Sequence, residues 1–325
     1  MQLTLPRGIR GLAGASFEAQ RQDVTGAFRE GRDNWGLYAQ ATVLPVSRLQ
    51  LTAGGRLDEN EKFGSFWTYR AAALAFASPT TRIRGSVGTG FKEPGFFENF
   101  DSPFSIGNPD LRPERSFSVE GGVEQEFARG VLGVGVTVFA QRFRDLIQFT
   151  FVPPEPGGPN YFNVAAANAN GVETVLRLRP TGPVRGSIAY TRLASKVTDA
   201  GFDSGDAATF VEGERLLRRP QDALAFRVES AFAGRIRLGA MLSWVGPRDD
   251  VRFGQFPEPN QRVELPSYTT LDLSGTFTIL HRRRGTPSLD LTTRVENLFD
   301  ESYEQGVGFP ARGRGVFLGV STNVQ

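Results

Sequence analysis

The sequence predicts an all-β fold, an antiparallel β-barrel of about fourteen strands joined by turns of unequal length. Three observations predict it. Apolar and polar residues alternate with a period of two over long stretches, as in a strand with one apolar face. Those stretches run to roughly 10–14 residues, longer than the ~5–6 usual in soluble sheets and enough for the ~9–11 that a tilted strand needs to cross a bilayer. Short and long connections alternate along the chain, a sorting for which a soluble sandwich has little reason.

Composition sets the bounds. The 325 residues are 39% hydrophobic, with 38 glycines and 20 prolines, which is compatible with folding throughout. A net charge of +2 points to no polyanion, and the run His281-Arg282-Arg283-Arg284 reads as a solvated turn, so no nucleic-acid partner is expected. Cysteine is absent, which excludes a disulfide framework and a thiolate metal site. No run approaches ~18 apolar residues, so a transmembrane helix is excluded while barrel strands are not. The start, residues 1–8, has neither a basic leader nor an apolar core and does not read as a signal peptide.

In chain order, residues 8–21 read as a strand and the polar stretch 23–33 as the loop after it. Trp35, Leu37, Ala39, Ala41 and Val43 share one face of the next strand, with Tyr38, Gln40 and Thr42 opposite. Leu49, Leu51, Ala53, Gly55 and Leu57 then oppose Arg48, Gln50, Thr52, Arg56 and Asp58. Residues 66–77 are apolar on both parities, and their face stays open. Ile83, Val87 and Phe91 oppose Arg82, Arg84 and Ser86, and Phe117, Val119, Val123 and Phe127 oppose Ser118, Glu120, Glu124 and Glu126. Val134, Val136 and Val138 alternate with Gly133, Gly135 and Thr137, and Val172, Leu176 and Leu178 with Glu173, Arg177 and Arg179. A strand follows over 184–193. Leu224, Phe226 and Val228 oppose Arg227 and Glu229; Ile236, Leu238, Leu242 and Trp244 oppose Arg235, Arg237 and Ser243. Leu271, Leu273, Phe277 and Ile279 face away from Asp272, Ser274 and Thr276; Leu289, Leu291 and Val295 from Asp290, Thr292 and Arg294; Val316, Leu318 and Val320 from Phe317, Gly319 and Ser321.

Short connections fall near Pro45 and over 78–81, 128–130, 180–183, 233–235 and 281–286. Long ones fall over 22–34, 58–65, 91–115, 152–162, 196–221, 246–266 and 300–312. In the connection 91–115, Asn108-Pro109-Asp110 and Arg112-Pro113 fix φ twice and remove two donors, so the chain between two strands must turn.

Catalytic chemistry finds few residues to work with. The single histidine, His281, lies in a short turn and cannot assemble a Ser-His-Asp arrangement at the loop end. Asp249-Asp250 and the group Asp58, Glu59 and Glu61 read as solvated loop carboxylates in preference to a catalytic pair or a calcium site. Gly133 and Gly135 lie within a strand with no lysine or helix start after them, so no phosphate loop is present. The expectation is a protein that is not an enzyme, with no cofactor and no metal site. Alternation alone does not decide between an apolar interior and an apolar outside.

The residues 107–116, GNPDLRPERS, preceded by GTGFKEPGFFE at 88–98, resemble a signature in the C-terminal barrel half of TonB-dependent outer-membrane receptors. Asn297-Leu298-Phe299-Asp300, followed by Tyr303 and Gly313-Arg314-Gly315, resembles a second, and Asn163 with Gly171-Val172-Glu173 a third. In that family the motif residues Asn108, Pro109, Asp110, Leu111, Arg112, Pro113 and Glu114, with Asn297, Leu298, Phe299 and Asp300, shape strands and loops. The resemblance implies a transmembrane β-barrel with its apolar parity in lipid, short periplasmic turns and long extracellular loops, in the outer membrane of a Gram-negative cell. It also implies uptake of a scarce bulky solute of the ferric siderophore, haem or cobalamin type. Family members carry a plug, and large transporters have 22 strands. The expectation is therefore one barrel domain over 1–325 without a plug, a truncated form in which 1–7 is the remnant of a preceding strand and turn. TonB would act on it only if a plug and TonB box came from a missing N-terminal part. A plugless barrel acting as a passive pore is the alternative.

A bound metal chelate or cobalamin-like ligand would meet loop aromatics and arginines: Phe96, Phe97, Phe100, Phe104, Tyr161, Phe162, Arg248, Arg252, Phe253, Phe256 and Tyr303. Rings supply stacking surface and guanidinium groups supply charged donors, which suits an anionic chelate.

Overall fold

Period-two alternation becomes a β-ladder nearly everywhere the sequence carries it. The structure, a computed structural model, describes residues 2–5, 9–150, 153–180, 182–201, 210–254, 258, 260–281 and 287–323. Its strands are β1 (Gln2–Leu5), β2 (Ile9–Val24), β3 (Phe28–Val46), β4 (Leu49–Asn60), β5 (Gly64–Ser78), β6 (Thr81–Lys92), β7 (Glu114–Phe127), β8 (Leu132–Phe149), β9 (Tyr161–Leu178) and β10 (Val184–Asp199). They continue with β11 (Asp222–Phe232), β12 (Ile236–Val245), β13 (Arg248–Arg252), β14 (Gln261–Leu265), β15 (Tyr268–Leu280), β16 (Ser288–Glu296), β17 (Glu304–Gly306), β18 (Phe309–Pro310) and β19 (Gly315–Asn323). One α-helical turn, α1 (Phe96–Asn99), precedes β7.

A 15-stranded sheet takes the order β1 to β12, then β15, β16 and β19, while β13–β14 and β17–β18 form separate hairpins. Apart from β1, that sheet holds the fourteen strands expected. The order is open: among the described residues β1 and β19 each have one neighbour. The chain divides into two compact units, one of Met1–Val123, Val138–Asn170 and Ser195–Leu216, the other of Glu124–Thr137, Gly171–Ala194 and Leu217–Gln325.

In the first unit, two expected long loops are instead strand. β2 and β3 pair without a break from Arg10↔Thr42 to Val24↔Phe28, and the chain reverses over 25–27, where Gly26 takes φ +77°. β4 and β5 likewise pair to Asn60↔Gly64. Polar residues had hidden both, because beyond an apolar band a ladder needs no apolar face; here cross-strand ion pairs such as Arg21–Asp33 at 2.7 Å replace it. Asp58 and Glu59 thus lie in β4, and Asp58 pairs with Arg56 at 2.6 Å, so they are not loop carboxylates. Register also settles the open face of β5. Trp67, Ala71, Ala73 and Ala75 stand opposite Leu57, Ala53, Leu51 and Leu49, and Ala75 opposite Ile83, so odd positions join the apolar parity of both neighbours.

In the second unit, apolar rows cross the strands. Ile188, Phe226, Leu242 and Leu271 form one, and Phe232, Ile236, Phe277, Leu291 and Val320 another.

These rows are not a core. Buried hydrophobic residues among those described are Leu111, Ala167, Ala169, Val197, Val251 and Leu265, whereas Leu37 is 60%, Trp67 73% and Val138 53% exposed. A soluble protein does not leave apolar surface open on strand after strand. The exposed parity is a lipid-facing wall, as in a transmembrane barrel. No described helix is long and apolar enough to cross a membrane.

Candidate functional site

The connection 93–113 is an ordered structure built on β2 to β5. Gly95 precedes α1, and the Glu98 carboxylate accepts the Gly95 N–H. Asp110 N–H donates to the Asn108 side chain at 3.0 Å, closing an Asx turn before Pro113. Gly107 allows the chain to pass close to itself, since a Cβ there would lie 2.3 Å from the backbone nitrogen of Phe100.

Arg32 organises the near side. It is 7% exposed, donates to the Pro94 carbonyl at 2.7 Å and to Gln20 Oε1 at 2.6 Å, pairs with Glu93 at 3.2 Å, and lies over the rings of Phe96 and Phe63. Burial lowers its pKa, and Glu93 opposes the shift. Lys62 Nζ sits 4.3 Å from the Phe100 ring centre. Partial desolvation, reinforced by the Arg32 charge, lowers the Lys62 pKa below its ordinary value. Phe28 meets Phe97 and Phe100 at 5.6 and 5.5 Å. Phe28, Arg32, Lys62 and Phe63 are absent from the expected ligand-facing set because they lie in polar stretches that alternation alone reads as loops; the signal available was a positive charge or ring every few residues in polar sequence.

Asn163 joins two of the sequence motifs. Its side chain accepts the Arg112 N–H at 2.6 Å and donates to the Arg112 and Asp145 carbonyls at 2.6 and 2.8 Å, while Arg112 pairs with Asp145 at 2.8 Å. Asn108 donates to the Tyr161 carbonyl at 2.8 Å, and Glu114 accepts the Ile147 N–H.

In the second unit the hairpins β13–β14 and β17–β18 are tied to one another. Asp250 is fully buried and accepts from Arg218 Nε, Val251 N and Val307 N, each at 2.8 Å. Asp249 pairs with Arg262 at 2.6 Å and is also buried. Solvated loop carboxylates were expected here; the finding overturns that, because the connection 246–266 folds into a hairpin that needs acceptors inside it. Arg248 donates to the Pro266 and Glu304 carbonyls and lies over Tyr268, which stacks on Tyr303 at 3.9 Å. Asn297, at φ +49°, holds the turn of its motif: it donates to the Glu301 carbonyl at 2.9 Å and accepts the Glu301 N–H, and Asp300 accepts the Arg314 N–H at 2.7 Å.

The residues expected to meet a ligand therefore divide. Phe96, Phe97 and Phe100 converge in one aromatic and cationic cluster, with Phe97 43% exposed; Phe104 stands out at 91% exposed. Tyr161 packs edge-on against Phe149, and Phe162 is half-buried beside it in sequence. Arg248 and Tyr303 belong to the stacked group just described. Arg252 and Phe253 are exposed at the end of β13, and Phe256 lies outside the described residues. Among the described residues no group of three or more His, Cys, Asp or Glu could hold a metal ion.

A family model described as "TonB dependent receptor-like, beta-barrel" matches residues 8–298. The chain belongs to the TonB-dependent receptor family. Members of this family are receptors and transporters of the outer membrane, and that is where the exposed apolar wall of this barrel resides. An iron-regulated outer membrane virulence protein of Vibrio cholerae is 27% identical over 306 residues, covering 89% of this chain and 43% of the relative. The vitamin B12 transporter BtuB of Vibrio cholerae is 27% identical over 271 residues, covering 83% and 39%. The chain thus spans less than half the length of these relatives. The fold matches the siderophore receptor PirA of Acinetobacter baumannii with a TM-score of 0.75 at 15% identity, covering 98% of this chain and 53% of that one. A ferric enterobactin receptor mutant of Pseudomonas aeruginosa, in complex with enterobactin, gives 0.74 at 18% identity, covering 98% and 52%.

Proposed function

We propose that this chain is the barrel wall and part of the external ligand-collecting surface of an importer for a scarce, bulky solute of the ferric siderophore, haem or cobalamin type. The observation that carries the reading is the ordered connection 93–113, which sets exposed Phe97 and Phe104 on a base fixed by Arg32 and Asn163. A flexible loop would lose more entropy on binding than one already held in place. Phe253 and Arg252 offer the same pairing of ring and guanidinium in the second unit. Energised import requires a plug and a TonB box acting with this wall.

The test is equilibrium binding of ferric enterobactin and of cobalamin to purified protein, with Phe97→Ala, Phe104→Ala and Phe253→Ala compared with the unaltered chain. A loss above ~1 kcal/mol for at least one ligand and one variant supports the reading, and losses below that for all of them refute it. A second reading, a passive pore, is supported by the polar parity of the second unit, where Arg185, Arg227, Arg237, Glu229, Asp272 and Arg294 line a water-accessible cavity of ≈ 540 Å³. Steady conductance in a planar bilayer without any bound chelate would favour it.

A further inference from the structure

At the loop end of β5 to β8 lies a cavity of ≈ 490 Å³ lined by Trp67, Phe91, Phe117, Arg115, Arg142 and Arg144, among other residues. Its arginines stand on the lipid-facing parity. Arg142 and Arg144 share the parity of exposed Val136 and Val138 in β8, and Arg115 that of exposed Phe117 and Val119 in β7. All three are exposed, and among the described residues their guanidinium groups have no ion-pair or hydrogen-bond partner. The neighbouring acids are committed elsewhere: Glu114 to Lys92 at 3.5 Å and to the Ile147 N–H, Asp145 to Arg112 at 2.8 Å. No acidic residue lines the cavity.

Three unneutralised guanidinium groups on a face destined for lipid require an explanation. An arginine on the lipid face is strongly destabilising at the bilayer midplane and nearly neutral at the interface. Four residues of strand separate Val138 from Arg142, about 13 Å along the strand at ~3.3 Å per residue, so the charges lie above the apolar band at headgroup depth. Guanidinium pairs bidentately with phosphate, and the reduced polarity of that depth strengthens the pairing. Trp67, Phe91 and Phe117 supply apolar lining beside the serine and threonine side chains, and Phe117 continues along its strand parity to exposed Val119, which gives an acyl chain a track.

We infer that this cavity binds the phosphate-bearing headgroup of an anionic lipid of the outer leaflet. The chemistry recognised is a phosphate ester, and the attached chains distinguish a lipid from free phosphate. The site is separate from the solute surface proposed above and does not depend on it.

The test uses purified protein in nanodiscs of phosphatidylcholine with or without diphosphorylated lipid A, and lipid retained on the protein is measured by native mass spectrometry. The variants are Arg142→Gln with Arg144→Gln together, Arg115→Gln alone, and Arg227→Gln on the opposite parity as control. Lipid A is expected to outcompete phosphatidylcholine, and the double variant to bind it at least ~10-fold more weakly, the loss of a charge-assisted contact. The control variant should bind as the unaltered chain does. Rising salt should weaken binding by the unaltered chain, a readout that stands even where the double variant folds poorly. Equal binding of the two lipids, unchanged binding by the double variant, or competition by inorganic phosphate as strong as by lipid A overturns the inference.

Discussion

Phe226 lies near the middle of the 11-residue strand β11, is 41% exposed, and stands in register with Ile188 and Leu242 on its two sides. Phe226→Arg places a charge among three apolar strands at mid-depth. If hydrocarbon covers that face, the expected cost is about 2–4 kcal/mol, a shift of roughly 30- to 1000-fold in the folded to unfolded ratio. Arg227 is adjacent in sequence but on the other parity, where it pairs with Glu229 at 3.6 Å with both groups well exposed. Exposed pairs contribute about 0–1 kcal/mol, so Arg227→Leu is expected to change stability by no more than that. The assay is equilibrium unfolding by guanidinium chloride in lipid vesicles, with the same slope checked for each variant. A cost below ~1 kcal/mol for Phe226→Arg, or a larger one for Arg227→Leu, refutes the assignment of the apolar parity to lipid.

Asn163→Ala removes three side-chain hydrogen bonds to the 112 and 145 backbone and is expected to cost about 2–4 kcal/mol, with faster amide exchange over 108–114 by hydrogen-exchange mass spectrometry. Asp250→Ala leaves the Val307 N–H without its acceptor and is expected to cost about 2–4 kcal/mol and to loosen β17–β18, read by the same method. Gly107→Ala is expected to displace Phe100, because its Cβ would meet backbone and not a movable side chain; increased proteolytic cleavage between 96 and 107 checks this. Lys62, with its pKa lowered, holds fewer protons folded than unfolded between its folded value and its ordinary one. Stability contributed through Lys62 therefore rises with pH across that window, and its free amine reacts with acylating reagents at a lower pH than a free lysine side chain in a short peptide does. Reaction of Lys62 only at or above the pH at which that peptide lysine reacts refutes the burial argument.

How much was legible in the chain differs by region. Strand number, the parity of each face except that of β5 and the turning of Asn108 to Pro113 were all local properties, since a period of two and a fixed φ are written within a few residues. The third motif was also visible as a pattern, but its meaning was not: Asn163 clamps Arg112 across 51 positions of sequence. Residues 22–34 and 58–65 carry no apolar alternation although most of them are strand, and only the partner strand shows that they pair. The ligand-facing set was legible as residue types alone. Exposure separates Phe104 from Phe100, and no local pattern predicts that Arg32 and Lys62 cap the latter's neighbourhood.

By itself the sequence determined that the chain is built of long strands with one apolar parity and one polar parity, because side-chain direction in a strand depends only on position along it. Tertiary structure decided which parity β5 presents, that Asp249 and Asp250 are interior acceptors, and that the apolar parity is open instead of packed. Those outcomes depend on what each strand or hairpin lies against, and pairing between distant segments is settled by register and burial that no short stretch of chain contains.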